Sequence, residues 1–428
     1  MSNKNEKTTL FDTIETSSLK NKSELYAYLI VPILVTLIFI EAFRAFVPGI
    51  YAAMYHVVFQ DPGWIGSLMT LLTLILLFIP LFTSRLSKHF GQKKIYLISI
   101  IGIAIMRLLM AFHLSSLLQT VLAGLIIAFY GFFISIFLKR LIQNDLGMDL
   151  KAKISIFSIS IIAAFLIDMV LRTIGFSSDI SLISIHLTPE TWYILQYIWL
   201  IAQVPLSLLL IWFTIRTTTV TFPDISAEKI EDKRNEPWIL NATGFGMFLF
   251  LMFNVFLYPN AIAEYTNTNY AIINPILMGA LTLILIYLLF GRIKMLYNFK
   301  INICFNLILI LALGGFLFLG TTWVYPIAIL MTLAITIIFL DLHLLITNAS
   351  ITPKNGNQLK SLSKFFSYGS LLYIIMTIFH VFSTDYAFTI TAFAGLGPLI
   401  LFIGGCLLVL TTLLANLQLN KFKEGGAA

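Results

Sequence analysis

The feature that most constrains this chain is a succession of long apolar runs. Twelve of them follow one another, separated by short polar segments. A helix of about 20 residues, rising about 1.5 Å per residue, crosses hydrocarbon about 30 Å thick. Hydrophobic residues make up 59% of the chain and charged residues 11%, whereas a soluble domain carries about 25% charged residues. The sequence therefore predicts an all-α membrane protein with twelve transmembrane helices.

The predicted spans form two groups of six. They lie near 26–54, 63–83, 95–114, 117–138, 154–175, 191–215, 239–258, 271–291, 301–320, 324–346, 365–383 and 388–415. The longest polar insertion, 216–238, follows the sixth span. We therefore predict five regions: an N-terminal tail at 1–25, a six-helix bundle at 26–215, a linker at 216–238, a second bundle at 239–415 and a C-terminal tail at 416–428.

Lysine and arginine predict the orientation, because cationic residues are retained on the cytoplasmic side of a membrane. They fill the two tails and alternate loops, among them 84–94, 139–153, 216–234, 292–300 and 354–364. The intervening loops carry acidic residues and histidines instead. We therefore expect both tails and the linker to be cytoplasmic and the protein to lie in the cell (inner) membrane. The net charge of +7 is then a topological signal and does not require a nucleic-acid partner.

The loop between the second and third spans carries a recognisable pattern. Ser84 to Lys94, SRLSKHFGQKK, resembles the major facilitator signature G-x-L-x-D-R-x-G-R-K. The leucine, the second glycine and the terminal basic pair match, while Ser84 stands in place of the first glycine, Lys88 of the aspartate and His89 of the arginine. With twelve spans, cytoplasmic tails and a central linker, the resemblance to that superfamily covers nearly the whole chain.

The resemblance implies the major facilitator fold and a secondary transporter, which works by alternating access around a site between its two bundles. It also implies that the loop at 84–94 is a tight turn whose charges help to latch the bundles. Gly91 suits such a turn because glycine accepts a positive φ. Lys88 and Lys93 would be gating residues, although a latch that needs a carboxylate at position 88 requires another partner. Asp341 and His343, near the cytoplasmic end of the tenth span, are either a gating hydrogen-bond pair or solvated interfacial groups.

Five ionisable residues are predicted within the membrane in the first bundle: Glu41, Arg44, Arg107, Asp168 and Arg172. A charge in hydrocarbon is costly unless it is paired or hydrated, so each is a candidate for substrate binding or coupling. Glu41 and Arg44 are spaced i, i+3, and Asp168 and Arg172 are spaced i, i+4, so each pair shares a helix face and can form an ion pair. The alternative is that these groups only hold the first, third and fifth spans together.

The charge balance indicates the kind of substrate. Three arginines against two carboxylates favour an anionic or zwitterionic group, and the second bundle is largely apolar, as suits an amphiphile. We therefore predict export or flipping of an amphiphilic or lipid-like molecule. The alternatives are proton-coupled uptake of a small polar metabolite and a non-transporting receptor or scaffold on a transporter fold.

Enzymatic activity is not indicated. The sequence contains no HExxH, GxSxG or histidine-rich element, and no cysteine or histidine cluster with metal-ligand spacing. We expect no cofactor and no metal. The expected partners are the substrate, membrane lipids and, if transport is coupled, protons, and we expect the protein to be a monomer.

Overall fold

The computed structural model describes 26–112, 115–143, 204–218, 239–246 and 357–385, together with single positions within 157–168, 221–222, 249 and 403–417. Secondary structure in this part of the chain is entirely helical. The eighth, ninth and tenth predicted spans lie outside the described residues, as do Arg172, Asp341 and His343. The predicted domain boundaries therefore remain predictions.

Four helices correspond to the first four predicted spans. Helix α1 comprises a π-helical turn, Tyr26–Ile30, and an α-helix, Val31–Phe59. Helix α2 comprises Trp64–Leu72 (α), Thr73–Phe82 (3₁₀) and Thr83–Phe90 (α). Helices α3 and α4 cover Gln92–Met110 and Ser116–Gln143. The 3₁₀ segment contains Pro80, which lacks the backbone N–H that a regular helix requires.

The later helices are described in part. The described positions within 157–168 are helical and are designated α5; α6 is Val204–Thr218, α7 is 239–246 and α8 is Asn357–Asp385. Helix α8 corresponds to the eleventh predicted span, but it begins at Asn357 rather than near 365, so that the prediction was wrong at this end. Gln358 and Leu359, in its first turn, are buried. Tertiary packing therefore extends the helix beyond the apolar run.

Helix α4 lies at the centre of the described bundle. It packs against α1, α2, α3 and α8. A Cβ atom added to Gly131 would lie 2.4 Å from Cγ of Pro80 in α2 and 2.7 Å from Cδ1 of Phe366 in α8. Small residues allow such close approach between helices in membranes, so Gly131 sets the separation of three helices.

The outer surface of α2 does not pack against other described helices and exposes large apolar side chains. These include Ile65, Leu68, Met69, Leu72, Ile75 and Phe82. An apolar surface of this kind is a liability in water and is expected against lipid. Among the described residues, four helices are long and apolar enough to cross a membrane: Tyr26–Val58, Trp64–Phe90, Leu117–Leu141 and Gln358–Ile378. The chain is therefore a multi-pass α-helical membrane protein.

One end of the bundle, designated the basic end, contains the first turns of α1 and α8, the last turns of α4 and α6, and the turn between α2 and α3. Ring contacts join Tyr28 to Phe137 at 6.0 Å and Tyr26 to Phe213 at 5.0 Å. Its basic residues are Arg85, Lys88, Lys93, Lys94, Lys139, Arg140, Arg216, Lys360 and Lys364. The α1–α2 junction lies at the other end, where His56 Nδ1 is 3.1 Å from Asp61 Oδ2. The placement of the basic end on the cytoplasmic side remains a prediction.

Candidate functional site

The interior of the bundle contains two ion pairs that connect neighbouring helices. Arg44 of α1 pairs with Asp168 of α5, and Arg107 of α3 pairs with Glu41 of α1. We designate these four residues the charged centre. The sequence predicted all four as site residues, and the structure brings them together; their role in transport remains a prediction.

The partners differ from those that the helix spacing predicted. Glu41 pairs with Arg107 on α3 rather than with Arg44 three residues along the same helix. The side chain of Arg107 is only 4% exposed. Without Glu41 its charge would be buried and uncompensated, and that penalty is larger than the free energy gained from an ion pair between Glu41 and Arg44 on the same helix. Arg44 therefore pairs with Asp168 of α5 instead. The pairing of Asp168 with Arg172 lies outside the described residues.

The charged centre is almost fully removed from solvent. The side chains of Glu41 and Arg44 are 12% and 11% exposed, and that of Asp168 is 8% exposed. One Nη atom of Arg44 binds Asp168, while the other, Nη1, is buried without a hydrogen-bond partner among the described residues. A buried donor without an acceptor costs about 1–3 kcal/mol.

The four charges cancel, two against two, within the described residues. The sequence predicted one more arginine than carboxylate in this region. The additional arginine is Arg172, which lies outside the described residues. The charged centre is therefore formally neutral, and two of its buried atoms, Arg44 Nη1 and Glu41 Oε2, make no hydrogen bond among the described residues, although Glu41 is paired with Arg107.

A cluster of rings, designated the aromatic junction, packs beside the charged centre and joins α1 and α4 to α8. It comprises Phe39, Phe43, Tyr130, Phe366 and Tyr373. The ring of Phe39 stacks on Tyr130 at 3.9 Å and lies 5.9 Å from Phe366. Tyr373 meets Phe43 edge-on at 5.0 Å. Because Phe43 immediately precedes Arg44, the junction brings α8 to the level of the charged centre.

Sequence analysis missed a row of hydroxyl groups on α8. Ser363, Ser367, Ser370, Tyr373 and Thr377 recur at spacings of three and four residues, so they share one helix face. All five are buried. Ser363 donates to Ser135 of α4 at 3.4 Å. The spacing is legible in the sequence, but hydroxyl groups are common in membrane helices and do not by themselves indicate a site.

A hydrogen bond between helices reinforces the aromatic junction. The hydroxyl groups of Thr36 in α1 and Tyr130 in α4 lie 3.0 Å apart, and both residues are buried. A buried tyrosine normally finds such a partner. This contact was also absent from the sequence-based prediction.

The predicted turn between the second and third spans is confined to one residue. Gly91 has φ 83° and ψ 145°, which confirms the expectation of a positive φ there. The rest of 84–94 is helical, so the tight turn predicted for 84–94 occupies less of that segment than expected. Gly91 donates its N–H to the Ser87 carbonyl at 3.0 Å and so ends the preceding helix. Lys88 and Lys93 are exposed on either side; their gating role remains a prediction.

Among the described residues, no group of three or more histidine, cysteine, aspartate or glutamate side chains is arranged to hold a metal ion. The charged centre itself is formed by ion pairs and a hydrogen bond. Those interactions recognise a ligand by its charge and its hydrogen-bonding groups.

Comparison with protein-family models and with curated sequences finds no match. Solved structures give a clear likeness. The proton:xylose symporter XylE superposes with a TM-score of 0.61 at 13% identity, covering 92% of this chain and 95% of that one.

Two further structures agree with this likeness. The Escherichia coli fucose:proton symporter FucP gives a TM-score of 0.58 at 13% identity, with coverage of 91% and 98%. The human organic anion transporter MFSD10 gives 0.53 at 11% identity, with coverage of 92% and 100%. Each likeness extends over nearly the whole of both chains. This chain has the major facilitator fold, while the count of twelve helices and their orientation remain predictions.

Proposed function

We propose that this protein is a secondary active transporter working by alternating access, and that it exports or flips an amphiphilic or lipid-like molecule with an anionic or zwitterionic group. The observation that carries the proposal is the charged centre, in which Arg44 keeps a buried Nη1 donor unfilled. The major facilitator fold supports the mechanism, since transporters of this architecture bind ligands near the midplane between their two bundles.

An anionic group is the ligand that best fits Arg44. The guanidinium has five N–H donors in a planar fork and binds carboxylate or phosphate through two parallel hydrogen bonds. Asp168 takes one arm of the fork and keeps the side chain oriented. The ligand would take the other arm and remove the cost of the unfilled donor.

The surroundings of Arg44 favour an amphiphile over a small polar metabolite. The aromatic junction supplies apolar surface next to the charged group, through Phe43 and the edge of Tyr373. A molecule with a charged head and an apolar body would satisfy both surfaces. A fully hydrated metabolite would satisfy only the guanidinium.

The decisive test separates a transport role of the ion pair from a structural one. Replacing one partner of a buried ion pair destabilises a protein by about 3–5 kcal/mol, whereas replacing both by apolar residues of similar volume is often neutral. We therefore compare Arg44→Met with the double variant Arg44→Met/Asp168→Leu in proteoliposomes. Dithionite accessibility of fluorescently labelled phosphatidylglycerol reports its transfer between leaflets, and the thermal midpoint reports folding.

If the pair serves transport, the double variant regains the thermal stability of the wild type but loses transfer at least tenfold. If the pair serves only to hold helices together, the double variant regains both. A wild-type protein that transfers neither labelled phosphatidylglycerol nor a soluble organic anion such as benzoate, with or without an imposed pH gradient, would favour the receptor alternative. Flux that requires the pH gradient would favour proton-coupled uptake.

A further inference from the structure

We infer that the central 3₁₀ segment of α2, Thr73–Phe82, changes its winding according to whether α8 packs against it. When α8 moves away, part of the segment returns to α-helical winding and rotates the following segment, Thr83–Phe90, about the helix axis. The inference goes beyond the proposed function, because it concerns the helix that leads to the turn at Gly91 and does not depend on which molecule Arg44 binds.

The first observation is a row of buried residues along α2. They are mostly small or polar and recur every three or four residues: Ser67, Thr70, Thr73, Leu77, Pro80, Thr83 and Ser87. In a regular α-helix, at about 100° per residue, Ser87 would point about 160° away from Ser67. Winding at about 120° per residue within the 3₁₀ segment reduces that difference to about 40°. The 3₁₀ segment therefore keeps both ends of the row on the buried side.

The second observation is that the sequence of the segment favours tight winding only in places. Pro80 has no backbone N–H and cannot complete the hydrogen bonds of an α-helix. Threonine hydroxyl groups at the two ends donate to the carbonyl three residues earlier, Thr73 to Thr70 at 2.6 Å and Thr83 to Pro80. Runs of 3₁₀ helix longer than about four residues are uncommon, because their hydrogen bonds are poorly aligned. The ten residues of this segment therefore need support from neighbouring helices.

The third observation is the source of that support. Helix α4, in the predicted first bundle, places Gly131 against Pro80, where an added Cβ atom would lie 2.4 Å from Cγ. Helix α8, in the predicted second bundle, also packs along the segment. The ring of Tyr368 in α8 meets that of Phe78 edge-on at 6.1 Å. The winding of α2 therefore depends in part on a helix of the other bundle.

The consequence is a mechanical link between the bundles and the basic end. A 3₁₀ helix rises about 2.0 Å per residue and an α-helix about 1.5 Å. Each three-residue turn that rewinds therefore rotates Thr83–Phe90 by about 60° and shortens α2 by about 1.5 Å. Arg85 and Lys88, both exposed in that segment, would rotate with it. Separation of α8 from α2 would thus change the direction in which these two basic residues point.

The test measures the length of α2 in the full-length protein in lipid nanodiscs by double electron–electron resonance. Cys304 and Cys406 are replaced by alanine, and spin labels are attached at two exposed positions through Met69→Cys and Arg85→Cys. The backbone distance between these positions is about 29 Å with the 3₁₀ segment and about 24 Å if α2 is an α-helix throughout.

Two variants change the winding from different sides. Tyr368→Ala removes a ring from α8 and changes no residue of α2, and Ile375→Ala, which removes another exposed side chain from α8, is its matched control. Pro80→Ala restores a backbone N–H within α2. Labels at Lys93→Cys and Leu109→Cys form the control pair, because both positions are exposed and lie equally far apart in sequence within the continuous α-helix α3.

We expect the labels on wild-type α2 to report a main distance of about 29 Å and the pair on α3 a distance of about 24 Å. Tyr368→Ala should shorten the mean distance on α2 by about 1.5 Å or more, and Pro80→Ala by up to about 5 Å. Ile375→Ala should leave the distance unchanged, and the pair on α3 should not respond to any variant.

The inference is overturned if Tyr368→Ala changes the distance by less than about 0.5 Å, the shortening from one rewound residue. A wild-type distance of about 24 Å overturns it too, because α2 would then be α-helical in the membrane. Pro80→Ala keeps the test decisive if Tyr368→Ala disturbs α8 more widely, since an unchanged distance there shows that the segment does not rewind. None of these distances reports lipid transfer, so the proposed function stands or fails separately.

Discussion

The charged centre and the aromatic junction are adjacent on α1, yet they join different helices by different physics. Glu41 and Arg44 connect α1 to α3 and α5 through two ion pairs. Thr36, Phe39 and Phe43, on another face of the same helix, connect it to α4 and α8 through rings and one hydrogen bond. The first set of contacts stays within the predicted first bundle, and the second reaches the predicted second bundle.

This difference has a mechanical consequence. A buried ion pair is costly to separate, because each charge would face a low-dielectric interior alone. Ring contacts are worth about 0.5–1.5 kcal/mol beyond their buried area and can form again in a new arrangement. We therefore expect α1, α3 and α5 to move as one unit, and we expect the contacts between α8 and α1 to open and close during transport.

The largest expected effect comes from breaking the charged centre. Arg107→Met leaves Glu41 without its partner and should lower the free energy of unfolding by about 3–5 kcal/mol. Thermal unfolding in detergent measures it. Lys93→Met is the control, since Lys93 is exposed and a surface substitution changes stability by about 0.5 kcal/mol or less. Equal effects of the two variants would contradict the structural account of the pair.

The next effect comes from the helix separation at the aromatic junction. Gly131→Ala places a Cβ atom 2.4 Å from Cγ of Pro80 and 2.7 Å from Cδ1 of Phe366. We expect a loss of about 2–3 kcal/mol from overpacking and faster labelling of a cysteine introduced at Ser363. Gly66→Ala is the matched control, because its added Cβ atom meets nothing within 4 Å. A stable Gly131→Ala protein with unchanged labelling would show that the junction does not depend on this contact.

A smaller loss of stability is expected from Gly91→Ala, which changes the backbone conformation without changing the packing. Gly91 has φ 83°, and a Cβ atom added there meets nothing within 4 Å. Gly91→Ala should therefore cost only the strain of that backbone region, about 1–2 kcal/mol. Thermal unfolding measures the cost. A change below about 0.3 kcal/mol would mean that the turn between α2 and α3 relaxes freely and cannot act as a rigid latch.

The smallest effect tests the hydrogen bond within the junction. Tyr130→Phe removes the partner of Thr36 at 3.0 Å while keeping the ring that stacks on Phe39. Hydrogen bonds between membrane helices average about 0.6 kcal/mol in double-mutant cycles. A cycle with Thr36→Val measures this coupling directly. A coupling near zero would leave the rings alone to hold α1 against α4.

Sequence reasoning was strongest for local features. The apolar runs predicted the first residues of α1 to α4 closely and their last residues less well, and Gly91 was recognised as a residue with a positive φ. It was weaker at the ends of α2 and α8, where amphipathic or polar turns continue the helix because tertiary neighbours bury one face. Lys360 and Lys364 were predicted in a loop because they precede the apolar run, and they lie in the first turns of α8 instead.

The same division applies to the candidate site. The sequence identified Glu41, Arg44, Arg107 and Asp168, because charged groups in an apolar run are conspicuous. It predicted ion pairs within helices from the helical spacing and gave contacts among the first, third and fifth spans as the alternative, without showing which residues would pair between helices. It gave no weight to Ser370, Tyr373 and Thr377, because hydroxyl groups are common in membrane helices and become notable only when the facing helix is known.

The sequence by itself determined that this chain crosses a membrane many times, which residues do so, and which ones carry charge into the interior. Those properties follow from the hydrophobicity of each segment and from the fixed rise of a helix, and neither quantity depends on which other helices pack against the segment. Only the tertiary structure decided that Arg44 meets Asp168, that Arg107 meets Glu41 and that α8 packs beside them. Partner choice depends on which helix faces stand opposite one another, and that arrangement is a property of the packed bundle as a whole.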